Sequence, residues 1–210
     1  MPPQWSAARI ATIAAAHDEA VAAADPSDVG GGGTSLRVWD FVNRGAVFDE
    51  IYLLVPVLAA CRLVIGAQFK LSTMHSRAIK PHVRADTLHV DFAREATDAA
   101  RGAWPMLGFI VMLDDFTAAN GATRFVPCSQ HAAERPPCGE PVPACGPAGS
   151  VIVYNGSVWH GHGANTTDRP RRSIQGAYIR RDAVGFAIAA RMRPETLDRI
   201  GPLARQLLAV

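Results

Sequence analysis

The stretch MLGFIVMLDDFTAANGATRFVP, residues 106–127, decides the fold. Residues 106–113 are short, almost wholly apolar and rich in branched or aromatic side chains, the texture of a buried strand. Asn120-Gly121 then supplies a strong turn signal, and residues 123–127 resume as a second strand. Outward from this pair the same texture recurs at 68–79, 87–92, 150–154 and 173–179, each run bounded by Gly, Pro, Asn or Asp.

The flanks read differently. Ser6 is placed to cap a helix reaching about residue 24, with Ile10, Ile13, His17 and Val21 at near-helical spacing, and Asp25-Pro26-Ser27-Asp28 ends it. The glycines at 30–33 read as a flexible connection; with no Gly-Lys-Ser/Thr after them they are not a phosphate loop. A second helical region covers about 48–64, restarting at Pro56, where proline suits a first turn. The proline-rich segment 136–147 reads as a loop placed to act as a lid, and 194–208 as a terminal helix. Helices, then short strands, then a helix predict a mainly β fold with flanking helices, a β-barrel or sandwich with helical packing outside. The expectation is one domain over 1–210, with a helical part to about 66, a barrel over about 67–182 and a C-terminal helix.

Composition excludes several classes of function. Hydrophobic residues at 49% and charged residues at 19% are ordinary for a globular chain and unlike a disordered one. With 21 basic and 19 acidic residues the net charge is only +2, which gives no general pull toward nucleic acid. The cluster Arg169, Arg171, Arg172, Arg180 and Arg181 serves a small anion as readily as a phosphate backbone. Cys61, Cys128, Cys138 and Cys145 form no C-x-x-C pair, which argues against a structural zinc site. The longest apolar stretch, 51–65, is broken by Pro56 and Arg62, and the N-terminal residues lack a basic-then-apolar leader. The protein is therefore expected in the cytoplasm, without a membrane or nucleic-acid partner.

The chemistry begins at Leu88-His89-Val90-Asp91. Alternate residues of a strand share a face, so His89 and Asp91 project together and offer an imidazole nitrogen beside a carboxylate oxygen. Alone, H-x-D is a weak signal, as common on a solvated strand. A second segment, Trp159-His160-Gly161-His162-Gly163-Ala164-Asn165-Thr166-Thr167-Asp168-Arg169-Pro170-Arg171, raises it. It places His160 on a short strand after a turn at Asn155-Gly156, able to return toward His89. Two histidines and one carboxylate with an open opposite face are the arrangement of ferrous oxygenases.

These residues, together with Leu113-Asp114-Asp115-Phe116 and Asn120-Gly121-Ala122-Thr123-Arg124-Phe125-Val126-Pro127, resemble the phytanoyl-CoA dioxygenase family over about residues 37–178. The resemblance implies a double-stranded β-helix, Fe(II), 2-oxoglutarate as co-substrate and O2. It assigns His89, Asp91 and His160 to the metal and to catalysis, and Arg171 to the far carboxylate of 2-oxoglutarate. A rigid guanidinium fork suits that carboxylate through two parallel charge-assisted bonds. Thr123 matches a position that hydrogen-bonds the same co-substrate, although a β-branched strand residue is an equal reading. Asn165 and His131 match supporting positions, and His162 is assigned to the pocket wall. Relatives often carry Gln where this chain has Asp86, a carboxylate that would repel the acidic co-substrate unless paired. The turn Pro127-Cys128-Ser129-Gln130-His131 departs from the family's P-G-S-H.

The reaction so implied is hydroxylation of an unactivated C–H bond of a small organic molecule, acyl or natural-product in type, with release of succinate and CO2. Two alternatives stand beside it: an inactive barrel that binds a small molecule, and a cupin-type metal enzyme that does not use 2-oxoglutarate. The substrate pocket is expected to be lined by the loop of the first helical region, the strand 69–79 and the proline-rich segment 136–147. Arg77, Lys80, His82 and Arg84 either bind an anionic group there or form a solvated face.

Overall fold

A computed structural model describes residues 1–92, 102–131, 139–185 and 191–210. Its strands are β1 (Val29–Gly30), β2 (Ser35–Val38), β3 (Phe69–Ile79), β4 (Met106–Met112), β5 (Thr123–Phe125), β6 (Val142–Pro143), β7 (Val151–Asn155), β8 (His160–His162) and β9 (Arg171–Arg180). They pair antiparallel into a large sheet ordered β1-β2-β3-β9-β4-β7 and a small one ordered β6-β5-β8. This is the expected mainly β, double-stranded β-helix architecture with flanking helices. The two sheets are not joined into a closed barrel.

Strand β4, in the stretch that announced the fold, is buried along its whole length because both its faces are covered. Leu107, Phe109 and Val111 face the main core under the helices, while Ile110 and Met112 pack with Ile152 and Tyr154 on the other side. The period-2 alternation thus divides one apolar run between two environments. Gly176 on β9 sits opposite Phe109, and a Cβ there would lie 2.3 Å from the Phe109 ring and 2.9 Å from the Thr73 carbonyl oxygen. Gly176→Ala is expected to overpack this contact and lower stability by about 1–3 kcal/mol. An unchanged midpoint in urea would contradict it.

Helix α1 (Ala7–Ala22) starts as expected, with the Ser6 hydroxyl accepting from the Arg9 amide at 3.2 Å. It buries Ile10, Ile13, Ala14 and His17. His17 Nε2 lies 2.7 Å from Ser76 Oγ, which fixes the helix to β3, and burial lowers the ring's pKa. The second helical region is two pieces, α2 (Asp49–Tyr52) and α3 (Val55–Val64), with Pro56 in the first turn of α3. The terminal helix expected over 194–208 is also two, α4 (Pro194–Arg199) and α5 (Pro202–Leu208). The break falls at Ile200 and Gly201, both extended, because a residue before proline is driven out of the helical region.

Three further expectations are corrected. The glycines at 30–33 turn a hairpin between β1 and β2, and Gly31 has φ +124° with its Cα against the Ser35 carbonyl, where a Cβ would lie 2.4 Å away. The segment 87–92 is not a regular strand. Hydrogen bonds to the β8 side recur at Val83, Asp86 and His89, a spacing of three where a strand has two, so the segment runs beside β8 kinked and His89 makes only an isolated bridge with His160. Of the proline-rich segment, 136–138 lie outside the described residues, while Val142–Pro143 form β6 on the edge of the small sheet. Among the described residues, no helix is long and apolar enough to cross a membrane.

Candidate metal centre

The kinked segment and β8 bring His89 and Asp91 against His160. His89 and His160 exchange both backbone hydrogen bonds, each 2.9 Å, so the two imidazoles start from directly opposed positions. His89 Nδ1 donates to the Thr87 carbonyl at 3.1 Å and His160 Nδ1 to the Val158 carbonyl at 2.8 Å. A carbonyl only accepts, so each Nδ1 carries the proton and each Nε2 keeps its lone pair. Those Nε2 atoms lie 3.7 Å and 3.5 Å from the two Asp91 oxygens. All three donor atoms fall within 4.8 Å of one another. Ligands bound at about 2.1 Å on adjacent vertices stand about 3 Å apart, so these three donors could hold a metal ion if they drew together. Burial lowers the pKa of His160 against the raising influence of Asp91, which favours the neutral, ligating ring.

Tyr154 was not singled out from the sequence. Its hydroxyl donates to Asp91 Oδ2 at 2.8 Å, and burial with the Asp91 charge raises its pKa well above the usual phenol value, so it stays a donor. The ring reaches Asp91 by lying over Gly108, its cross-strand neighbour, where a Cβ would be 2.3 Å away. A glycine inside an otherwise bulky strand was the available signal.

Arg171, the first residue of β9, is 1% exposed and stacks on Phe116 with its guanidinium carbon 4.0 Å from the ring centroid. Its Nη2 donates to the Gly121 carbonyl at 2.8 Å and its Nη1 to Ser173 Oγ at 3.3 Å. Its Nε is buried with no partner among the described residues. Burial first and the charge of Arg77 second pull its pKa down to about 9, against the raising influence of Asp114, so it remains a cation at neutral pH with no ion-pair partner among the described residues. A narrow space of about 10 Å³ joins Arg171 and the buried Thr123 to His160. Arg172 alternates to the other face, as expected, and pairs with Asp114 and Asp18.

The remaining candidates separate cleanly. His162 stays off the metal set, donating from Nδ1 to the Gly163 carbonyl at 2.7 Å with Nε2 3.2 Å from Thr34 Oγ1. Asn165 is a buried turn residue whose amide donates to the Arg169 and Ile79 carbonyls. His131 is exposed beside Trp104 and lines neither space. Asp86 is paired: its carboxylate takes Arg77 Nη2 at 3.3 Å and its own following amide, from Thr87, at 3.0 Å.

In front of the histidines opens a cavity of about 330 Å³, lined on the large sheet by Arg37, Trp39, His75, Arg77 and Gln175. Strand β3 contributes as expected. The described part of the proline-rich segment does not, and the glycine-rich connection supplies in its place the strand carrying Arg37. Of the four cationic candidates only Arg77 enters, whereas Lys80, Arg84 and His82 are exposed, His82 against Asp168.

The model of the phytanoyl-CoA dioxygenase (PhyH) family matches residues 8–173. The chain belongs to the phytanoyl-CoA dioxygenase family. It is 32% identical over 186 residues to dioxygenase FrzG of Cladobotryum sp, a match covering 79% of this chain and 60% of that relative. The chain thus spans about three-fifths of that relative's length. Its fold is that of HygX from Streptomyces hygroscopicus, solved with nickel and 2-oxoglutarate bound (TM-score 0.70, 15% identity, 88% and 89% of the two chains). It is likewise that of the non-heme alpha-ketoglutarate-dependent epimerase SnoN from nogalamycin biosynthesis (TM-score 0.69, 21% identity, 85% and 76%).

Proposed function

We propose that this chain is an Fe(II)- and 2-oxoglutarate-dependent oxygenase that hydroxylates a C–H bond of a small organic molecule. The observation that carries the reading is the convergence of His89, Asp91 and His160 with a buried Arg171 behind them that has no ion-pair partner among the described residues. The donors fit ferrous iron: two neutral imidazole nitrogens and one carboxylate oxygen on one side of the site. When bound, iron with 2-oxoglutarate and O2 supplies the oxidising power, releasing succinate and CO2 as oxygen is inserted into the substrate.

The protein's own residues orient and enclose. Thr87 and Val158 carbonyls lock the histidine tautomers, and Tyr154 holds the Asp91 carboxylate. Arg171 offers its charge and free Nε to the far carboxylate of 2-oxoglutarate, with the Thr123 hydroxyl beside it. The space there holds about one water molecule. Arg77, Tyr154, His160 and Gln175 border both this space and the large cavity, so the two meet at these side chains. Phe125 stacks on His160 with ring centroids 5.6 Å apart and the Tyr154 ring lies 4.8 Å from it, so two aromatic rings pack against the imidazole that would hold the iron.

Anaerobic addition of Fe(II) and 2-oxoglutarate is expected to raise a weak visible charge-transfer band, followed by oxygen-dependent succinate. Neither band nor succinate would overturn the reading.

A further inference from the structure

The two oxygens of Asp91 are not equivalent. Oδ2 accepts the Tyr154 hydroxyl at 2.8 Å, whereas Oδ1 accepts no hydrogen bond among the described residues. Oδ1 lies 3.7 Å from His89 Nε2 and Oδ2 lies 3.5 Å from His160 Nε2, so both oxygens stand within the candidate metal set. A carboxylate holds a cation through one oxygen or through both. A hydrogen bond to a charged oxygen takes up one of its lone pairs and draws charge from it, which leaves the unbonded Oδ1 the stronger donor.

The sheet holds the phenol in that place. Tyr154 on β7 is the cross-strand partner of Gly108 on β4. A Cβ at Gly108 would lie 2.3 Å from Tyr154 Cζ, 2.4 Å from Cε1 and 2.6 Å from the hydroxyl oxygen. It is therefore the hydroxyl end of the ring that needs the missing side chain. The ring is flanked by Phe125, with centroids 5.3 Å apart, and by His160 at 4.8 Å. Gly108 itself lines neither the large cavity nor the narrow space, so it reaches the site through Tyr154.

We propose that Tyr154 is a positioning residue that restricts Asp91 to one metal-binding oxygen, Oδ1, and that Gly108 makes room for it to do so. Three protein ligands of one atom each leave an open face for a chelating keto acid and O2. A second Asp91 oxygen on the metal would take one of those open positions. This deepens the oxygenase reading and rests on it.

Tyr154→Phe removes the hydroxyl and keeps the ring, whereas Gly108→Ala keeps the hydroxyl and displaces it. Wild type and both variants are loaded anaerobically with Fe(II) and titrated with 2-oxoglutarate and with acetohydroxamate. The hydroxamate chelates through two oxygens but has no far carboxylate. Both variants are expected to hold Fe(II) within about threefold of wild type and to lose about tenfold in affinity for each chelator, the lower end of what removing a ligand-orienting partner costs. Equal chelator affinities in wild type and Tyr154→Phe overturn the proposal. A loss confined to 2-oxoglutarate also overturns it, because Tyr154 then acts at the Arg171 end, whose space it borders. A loss of Fe(II) affinity of about tenfold in Tyr154→Phe overturns it too, since the phenol then supports Asp91 as a ligand and does not limit it. If Gly108→Ala does not fold, Tyr154→Phe decides alone. Acetohydroxamate keeps the two readings apart. Wild type that binds Fe(II) and the hydroxamate, yet forms no oxygen-dependent succinate with 2-oxoglutarate, fails the oxygenase reading while the Tyr154→Phe comparison still decides the proposal. Wild type that takes up no Fe(II) overturns both.

Discussion

Asp91→Ala is expected to lose turnover by about 10³-fold or more, equivalent to about 4 kcal/mol at 1.36 kcal/mol per tenfold. Asp91 is the only anion among the three candidate ligands, so its removal leaves two neutral imidazoles facing a divalent cation. Its oxygens also lie 3.7 Å and 3.5 Å from the two Nε2 atoms, so their loss removes the anionic donor that faces both histidines. The variant should fold, because Asp91 lies at the edge of the cavity and its backbone amide remains bonded to Gly156. Tyr154 loses its acceptor, a cost of about 1–3 kcal/mol if the hydroxyl finds no water. Iron affinity followed by the visible band, with far-ultraviolet circular dichroism as the control, checks the result. Wild-type iron affinity in a folded variant would remove Asp91 from the metal set.

Arg171→Ala is expected to weaken 2-oxoglutarate by about 10²-fold while leaving Fe(II) binding within threefold. Truncating one partner of a buried charge pair typically costs about 2–5 kcal/mol, which spans that loss. The side chain is also structural, stacked on Phe116 and bonded to the Gly121 carbonyl, so a fall in stability accompanies the change. Arg171→Lys separates the two effects. A lysine keeps the charge and most of the volume but loses the fork, so co-substrate affinity should fall less than in the alanine variant. Titration of 2-oxoglutarate into the iron-loaded variants reads this directly, and unchanged affinity in both would place the acid elsewhere.

Most of the fold was legible because strand signals are local. The apolar run at 106–112 and the Asn120-Gly121 turn state their conformation in adjacent residues. Strands β3, β7 and β9 likewise appear within a residue or two of where the alternation put them. What escaped depended on partners distant in sequence. Strand β2 is four residues long, and it is a strand because β3 lies alongside. Before that pairing is known, the glycines ahead of it look like a linker. The kink that seats His89 is set by bonds to the β8 side, which no pattern within 83–91 announces. Tyr154 was hidden for the same reason: its role comes from Gly108 on another strand, which leaves room for the ring.

The opening stretch, with H-x-D and the segment 159–171, was enough by itself to determine a mainly β fold, the family, and the residues proposed to hold metal and co-substrate. Such information is written in residue types and spacings along the chain. Only the tertiary structure decided that Asp86 is neutralised by Arg77, that Arg171 is a buried cation with no ion-pair partner among the described residues, and that Arg37 stands beside Arg77 on the wall of one cavity. Charge balance is a property of distances between side chains, and those distances exist only once the sheets have paired.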